Sequence, residues 1–273
     1  MIFPYLTCPL DGLPLVKHGN SMRCSSNHNY DMDRKGTLNL LPVQFKKSLH
    51  PGDSKDMVLA REAFLNTGLY QPIADALCRI IAEEPHAVIL DAGCGEGYYT
   101  AYLKEQFPTS AIAGLDISKE AIQGAVKRRK DIQWLVGTNA NLPIASQSVD
   151  VLISLFGFPV WSEFARVLKP GGRIITVDSG PDHLIELRKI LYPEIKEKPA
   201  KAAIDDHDVA LLETRVERFA MTGMTLDDVA RLIAMTPHQH RAQKDAIQKA
   251  ITFSFEAITA DVLFSIYAGT VTA

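Results

Sequence analysis

Residues Val88–Thr100, VILDAGCGEGYYT, are the stretch from which the fold can be read. The apolar head, Ala87 to Leu90, is too short for a helix and suits a buried parallel strand closed by Asp91. Gly93, Gly95 and Gly97 follow at alternate positions, where a missing Cβ lets the chain turn sharply and approach a ligand. A helix from about Tyr98 to Gln106 starts at once, so its free N–H groups face the loop. Several nucleotide-binding folds share strand, glycine loop and helix, so spacing must discriminate between them.

Here the glycines run D-x-G-x-G-x-G rather than the G-x-G-x-x-G of dinucleotide enzymes, and Asp91 is placed to meet a cationic amino-acid group. That favours S-adenosylmethionine (SAM) over NAD. A second apolar strand, Ala111–Leu115, ends in Asp116, a carboxylate positioned to accept from two ribose hydroxyls; Ser118 then reads as the cap of the next helix. Residues 139–150 lead into a buried strand at Val151–Ser154, and Leu142 and Pro143, beside Asn141, would flank an adenine edge. Glu163–Thr176 reads as a helix ended by Pro170 and a glycine turn into a fifth strand. The four marks together resemble the class I SAM-dependent methyltransferase plan, an α/β fold.

The remaining pattern fills out that plan. Thr214–Ala220 alternates as a strand, Thr225–Ala234 is a helix opened by Thr225 and Asp227, and Ala250–Phe255 with Ala260–Tyr267 supplies one or two final strands. A helical insertion over about 183–206 is expected to lie above the cofactor pocket. Cys78, on a helix over Ile73–Ala82, and Cys94, in the glycine loop, read as core residues.

The 273 residues, 47% of them hydrophobic, allow one or two domains with a real core, and no apolar run reaches the roughly 18 residues of a membrane span. The opening lacks a basic n-region, and few cysteines suggest a reducing compartment, so the expectation is a cytoplasmic protein without a membrane partner. A formal charge of -3 argues against a uniformly basic nucleic-acid binder, but its distribution is uneven. Residues 1–60 carry seven Lys or Arg against five Asp or Glu, whereas residues 190–273 carry nine against twelve. The front excess includes Arg34, Lys35, Lys46, Lys47 and Lys55.

That front segment also holds Cys8 and Asp11, then Cys24 and His28, paired like the two knuckles of a small zinc ribbon. Cys8, Cys24 and His28 are good zinc donors; Asp11 is a harder oxygen ligand, seldom used in structural sites. Two alternatives stay open on the residues alone: both cysteines as small core side chains, or a disulfide between them.

The order of parts resembles one family closely. After the knuckles come GTLNLLPVQ at Gly36–Gln44, PGDS at Pro51–Ser54, AREAFL at Ala60–Leu65, GLYQP at Gly68–Pro72, the glycine loop, and GPDHL at Gly180–Leu184. This ordered set, spread over most of the chain, resembles the 23S ribosomal RNA large-subunit guanine-N1 methyltransferases of RlmA (RrmA) type. The resemblance implies a seven-stranded, mostly parallel, doubly wound sheet with an antiparallel last strand. It implies a zinc-ribbon-like RNA-binding module over 1–50 and a SAM-dependent methyltransferase domain over 51–273. It further implies an enzyme that methylates guanine N1 in the helix 35 hairpin of 23S ribosomal RNA, at position 745 or 748, with SAM and zinc as cofactors. Tyr70, the loop with Glu96, and His183 match family SAM contacts; Cys8, Cys24 and His28 match three of its four zinc ligands, and Asp11 stands where the family has cysteine. Leu155–Pro159 also departs from the family pattern.

Guanine N1 carries a proton at neutral pH, so its methylation requires proton removal; no residue announces itself as base, and the catalytic residues stay unassigned. Phe156, Phe158 and Trp161 lie beyond the fourth strand, where a splayed base could stack, although Trp161 could equally pack on the sheet. Two other readings compete: a methyltransferase for small molecules, which would have little use for the front module, and a ribosome-binding protein that keeps SAM without catalysis. The residues leave a homodimer open.

Overall fold

The computed structural model describes residues 3–45, 52–83, 87–195 and 209–269. The expected boundary at residue 50, Lys46, Lys47 and most of the C-terminal half of the expected 183–206 insertion lie outside them.

The chain begins with a three-stranded antiparallel sheet, β1 (Val16–His18), β2 (Ser21–Arg23) and β3 (Asn29–Asp31), followed by the short strand β4 (Leu38–Asn39). Helices α1 (Lys55–Leu65) and α2 (Gln71–Ile81) come next. Then the alternating unit sets in: β5 (Val88–Ala92), α3 (Tyr98–Gln106), β6 (Ala111–Asp116), α4 (Lys119–Arg128), β7 (Gln133–Val136), β8 (Val149–Leu155), α5 (Trp161–Val167) and β9 (Leu168–Ser179). The end of the chain contributes α6 (Ile185–Leu191), β10 (Val209–Thr222), α7 (Leu226–Ala234), α8 (His238–Arg241), α9 (Lys244–Ile251) and β11 (Ala257–Gly269).

The large sheet runs β10-β11-β9-β8-β5-β6-β7-β4. Its centre is parallel, and β11 runs antiparallel to both β9 and β10. The seven expected strands are all there, and β4 adds an eighth, parallel to β7, that the front segment donates. Strand β5 shows why the sheet needs cover on both sides. Val88 and Leu90 join one apolar cluster with α5 and the front segment, while Ile89 joins the other with α1, α2, α4 and α7. A strand buried on both faces reads as an apolar run rather than an alternation.

Local chemistry places the helices. Ser54 of the PGDS turn caps α1 by accepting from the Met57 N–H, and Ser118 caps α4 through Ala121 N–H. Thr225 opens α7 with a reciprocal capping box whose partner is Asp228, not the Asp227 expected from sequence. Two other expectations are corrected. Ala250–Phe255 is not a strand: Ala250 and Ile251 end α9 and a turn follows. Within the described part of the expected insertion only the seven-residue α6 is helical, and it packs on α9 and β11 rather than over the glycine loop. Pro193 lies two residues beyond its end and stops it there.

The front segment is built into the core. Leu6 bridges Ile144, Thr7 N–H donates to Pro143 O, and Leu40 N–H donates to Val136 O. Phe3, Leu6, Cys8, Met22 and Cys24 are buried in the same cluster as Leu90, Leu135 and Leu152.

Trp134 is 1% exposed and fills the space beneath the glycine loop, its Nε1 donating to Arg129 O. A Cβ on Gly114 would stand 2.4 Å from Trp134 Cζ3. Gly114→Ala is expected to destabilise the protein by about 2–3 kcal/mol in urea denaturation, with Trp134→Leu in the same chain recovering part of the loss. An unchanged midpoint would show that this packing is looser than described.

Candidate active site and metal centre

A cleft of about 800 Å³ opens at the carboxyl ends of β5, β6 and β8, the place where doubly wound sheets hold ligands. Gly93 and Gly95 line its floor, with φ of 103° and 56°; Gly97, φ 78°, does not line the cleft and packs against Trp134 instead, and all three lie in a region side-chain-bearing residues avoid. The loop is tied to the next strand: Gly93 and Cys94 N–H both donate to Leu115 O, and Gly95 N–H donates to Asp116 Oδ2 at 2.9 Å. Asp116 Oδ1 accepts from Ser118 N–H. Each Asp116 oxygen so fixed retains a lone pair for a ribose hydroxyl. Burial raises the Asp116 carboxyl above its usual range.

Asp91 is the most telling group. It is 1% exposed, its Oδ2 accepts from Thr100 Oγ1 at 2.5 Å, and its Oδ1 has no hydrogen-bond partner among the described residues. Desolvation lifts its pKa to about 7, with Asp116 and Glu96 adding to the shift. A buried carboxyl oxygen left unpaired is costly, and a cationic ligand group in the cleft would answer it. This is a site that the ammonium of SAM fits.

Asn139 stands opposite, its Nδ2 donating to Phe158 O at 3.3 Å and more weakly to Ala92 O. Phe156 and Phe158 form the rim; Phe156 holds φ 52°, and Phe158 is 89% exposed. Trp161 packs instead against Tyr267, with ring centroids 4.8 Å apart. It opens α5 and packs on the sheet.

The second centre lies in the front segment. One donor atom each from Cys8, Asp11, Cys24 and His28 fall within 4.8 Å of one another. His28 Nδ1 is 3.4 Å from both sulfurs and 3.0 Å from Asp11 Oδ2, which lies 3.4 Å from Cys24 Sγ. Tetrahedral zinc with ordinary bond lengths puts such donors about 3.3–3.8 Å apart, so only the His28–Asp11 pair among these distances would have to open around the ion. Asp11 Oδ1 accepts from Leu13 N–H, which leaves Oδ2 turned inward as a single ligand atom. The residues fit a structural zinc ion with Asp11 as the fourth ligand, and Cys8, bonded to Tyr30 at 3.1 Å, is oriented from outside the set. No disulfide joins Cys8 and Cys24.

Residues 6–49 match the zinc-ribbon family described as RlmA, N-terminal, and residues 89–172 match a methyltransferase domain family. The Bacillus subtilis (strain 168) protein YxjB, provisionally named a 23S rRNA (guanine-N(1)-)-methyltransferase, is 31% identical over 274 residues, 95% of each chain. The chain belongs to this family. A Streptomyces fradiae relative named 23S rRNA (guanine(748)-N(1))-methyltransferase is 28% identical and is covered, like this chain, to 96%. A structure solved in work on the conversion of a disulfide bond into a thioacetal group during echinomycin biosynthesis has a TM-score of 0.50 at 16% identity. It covers 74% of this chain and 83% of that one, and carries the fold alone.

Among the family positions, Asp91, Gly93, Gly95, Glu96 and Asp116 converge on the cleft. Asn141 lines it too, but its amide is committed to Pro9 O at 2.9 Å, next to Cys8 of the candidate metal centre. Leu142 is a correction: it is 2% exposed, its N–H is held by Glu163, and it packs inward rather than flanking the cleft. Tyr70 and His183 are not among the residues that line the cleft. They bond each other, Tyr70 OH to His183 Nε2 at 3.1 Å, and the His183 ring lies tilted beside that of Phe156 on the cleft wall, centroids 6.1 Å apart. Because His183 Nδ1 accepts from Asp261 N–H, its proton sits on Nε2, which donates to Tyr70 and leaves no free base. Arg61, Asp53 and Tyr99 line the cleft as well, and sequence reasoning missed them. Arg61 and Asp53 sit inside the AREAFL and PGDS motifs, where their charge was the available signal.

Cofactor affinity is expected to rise between pH 6 and 7.5. Asp91 must be ionised to meet the ammonium, and without cofactor it keeps its proton up to about pH 7. The same shift makes the ligand-free fold lose stability as pH rises from about 4, the unfolded value, to about 7. Asp91→Asn is expected to flatten both profiles and to weaken SAM at least tenfold (~1.4 kcal/mol); an unaltered pH dependence in that variant would reject the assignment. For the metal, purified protein is expected to carry about one zinc per chain. Asp11→Ala should surrender it to a chelator and Asp11→Cys should hold it longer, whereas a metal-free wild type with no gain in Asp11→Cys contradicts the site.

Proposed function

We propose that this protein transfers the methyl group of SAM to N1 of a guanine in 23S ribosomal RNA, in the hairpin of helix 35. The observation that carries the reading is the junction of a cation-seeking cleft with a metal-knuckle segment that forms part of its wall. Gln44 and Phe45, the end of the front segment, line the same cleft as Asp91 and Asp116. A small-molecule methyltransferase has no evident need of that wall. The Streptomyces fradiae relative is named for position 748, and that position is the one we favour here.

When bound, SAM supplies a sulfonium methyl that passes to the guanine nitrogen. This chain's residues do the rest. Asp91 and Asp116 fix the amino-acid and ribose ends, which sets the direction of approach. Phe156 and Phe158 offer a flat apolar rim to a base splayed out of its hairpin. The guanine N1 proton leaves to water, since His183 is occupied on both ring nitrogens. Lys17, Arg23, Arg34 and Lys35 are exposed and make no ion pair among the described residues, so they are available to RNA phosphates. The place of such chemistry is the cytoplasm, with ribosomal RNA as partner.

Incubation with SAM and unmodified 23S ribosomal RNA, followed by digestion to nucleosides, is expected to yield 1-methylguanosine. Methylated metabolites without labelled RNA would defeat the reading. Phe158→Ala should lower kcat/KM for the RNA by about tenfold or more through weaker stacking, with SAM affinity unchanged. Arg34→Ala with Lys35→Ala should weaken RNA binding and reduce its salt slope by roughly one for each phosphate no longer neutralised.

A further inference from the structure

The cleft is acidic out of proportion to a neutral ligand. Asp53, Asp91, Glu96 and Asp116 line it, and among the described lining residues Arg61 is the single cation. SAM brings a sulfonium, an ammonium and one carboxylate. Carboxylates in the wall answer the two cationic groups, but the ligand's own carboxylate needs donors.

Arg61 projects from α1 across the glycine loop. Its Nε donates to Glu96 Oε2 at 2.6 Å and its Nη1 to Asp53 Oδ2 at 2.5 Å. The third nitrogen, Nη2, makes no hydrogen bond among the described residues and lies 3.0 Å from where a side chain on Gly95 would begin. Gly95 therefore admits the guanidinium as well as the turn. Glu96, 2% exposed, holds the guanidinium in place, while the Asp53 side chain, 35% exposed, can turn to water when another anion arrives.

Tyr99, in the first turn of α3, gives an independent indication. It lines the cleft, is 9% exposed, and its hydroxyl is buried with no hydrogen-bond partner among the described residues. Burial lifts its pKa well above the usual value, so it stays a proton donor, and it lies within the electrostatic reach of Arg61. An unanswered buried hydroxyl costs about 1–3 kcal/mol, and a carboxylate is an acceptor that both this hydroxyl and the Arg61 Nη2 could share.

We propose that the Arg61 guanidinium and the Tyr99 hydroxyl form the receptor for the carboxylate of the cofactor's amino-acid end, opposite the ammonium held by Asp91. This rests on the SAM reading of the cleft. It gives Arg61 a role beyond bridging Glu96 and Asp53.

The test is calorimetric binding of two ligands to the full chain: SAM, and decarboxylated SAM, which keeps the sulfonium and a primary ammonium but lacks the carboxylate. Wild type is expected to bind SAM about tenfold or more tighter, the scale of a charge-assisted hydrogen bond. Arg61→Gln and Tyr99→Phe should each lose most of that advantage, with affinity for decarboxylated SAM changed by less than about twofold. Arg61→Gln strands the buried Glu96 and is checked for folding by circular dichroism. Tyr99→Phe removes a group with no partner and serves if the first variant does not fold. Equal losses on both ligands, or no loss on SAM in a folded variant, would overturn the proposal. A wild type that binds SAM and decarboxylated SAM equally also overturns it while leaving the methyltransferase reading intact; a wild type that binds neither contradicts the cofactor reading itself.

Discussion

The interaction on which the rest depends is a carboxylate held dry at the end of a parallel strand. Asp91 is fixed on one side by Thr100 and left open on the other. Everything nearby serves to keep it there. The glycines turn the chain away from it, Leu115 O gathers the loop amides, and Trp134 fills the floor beneath. In the ligand-free chain this is an unfavourable arrangement, because burial and the neighbouring Asp116 and Glu96 all oppose the charged form. A cationic ligand group relieves it, so the local cost of the ligand-free site becomes affinity for the full one.

The same logic links the two centres. The front segment is part of the molecule's wall, through β4 in the large sheet and through buried residues shared with β5 and β8. Asn141 spans the join, lining the cleft with its backbone neighbours while its amide holds Pro9 O beside Cys8. Metal at the knuckles would therefore steady a segment whose end, Gln44 and Phe45, lines the cofactor cleft. Asp11 in place of a fourth cysteine keeps four donor atoms within 4.8 Å of one another but exchanges a soft ligand for a hard one.

Much of this is legible in the chain itself. Helix α3 begins and ends where the glycine loop and its periodicity place it, and Asp91 and Asp116 line the cleft from the strand ends where the sequence puts them. Those features are local, since a turn that needs positive φ and a strand that ends in an acid are written in consecutive residues. What escapes is long-range. Arg61 reaches Glu96 across 35 positions, and β4 pairs with β7 from nearly a hundred residues away. Apolar character alone misplaces Ala250–Phe255, where α9 ends, and Leu142, which turns into the core because Glu163 claims its N–H. Tyr70 and His183 match by motif, yet their hydrogen bond to each other is visible only in three dimensions.

The central claim is that Asp91 waits, partly protonated, for a cation. Calorimetric titration of SAM into the protein at pH 6.5, in two buffers of different ionisation enthalpy, measures the protons exchanged on binding. Release approaching one proton per cofactor, lost in Asp91→Asn, is the result this account predicts. Binding without proton release in the wild type, or with the same release in the variant, would contradict it.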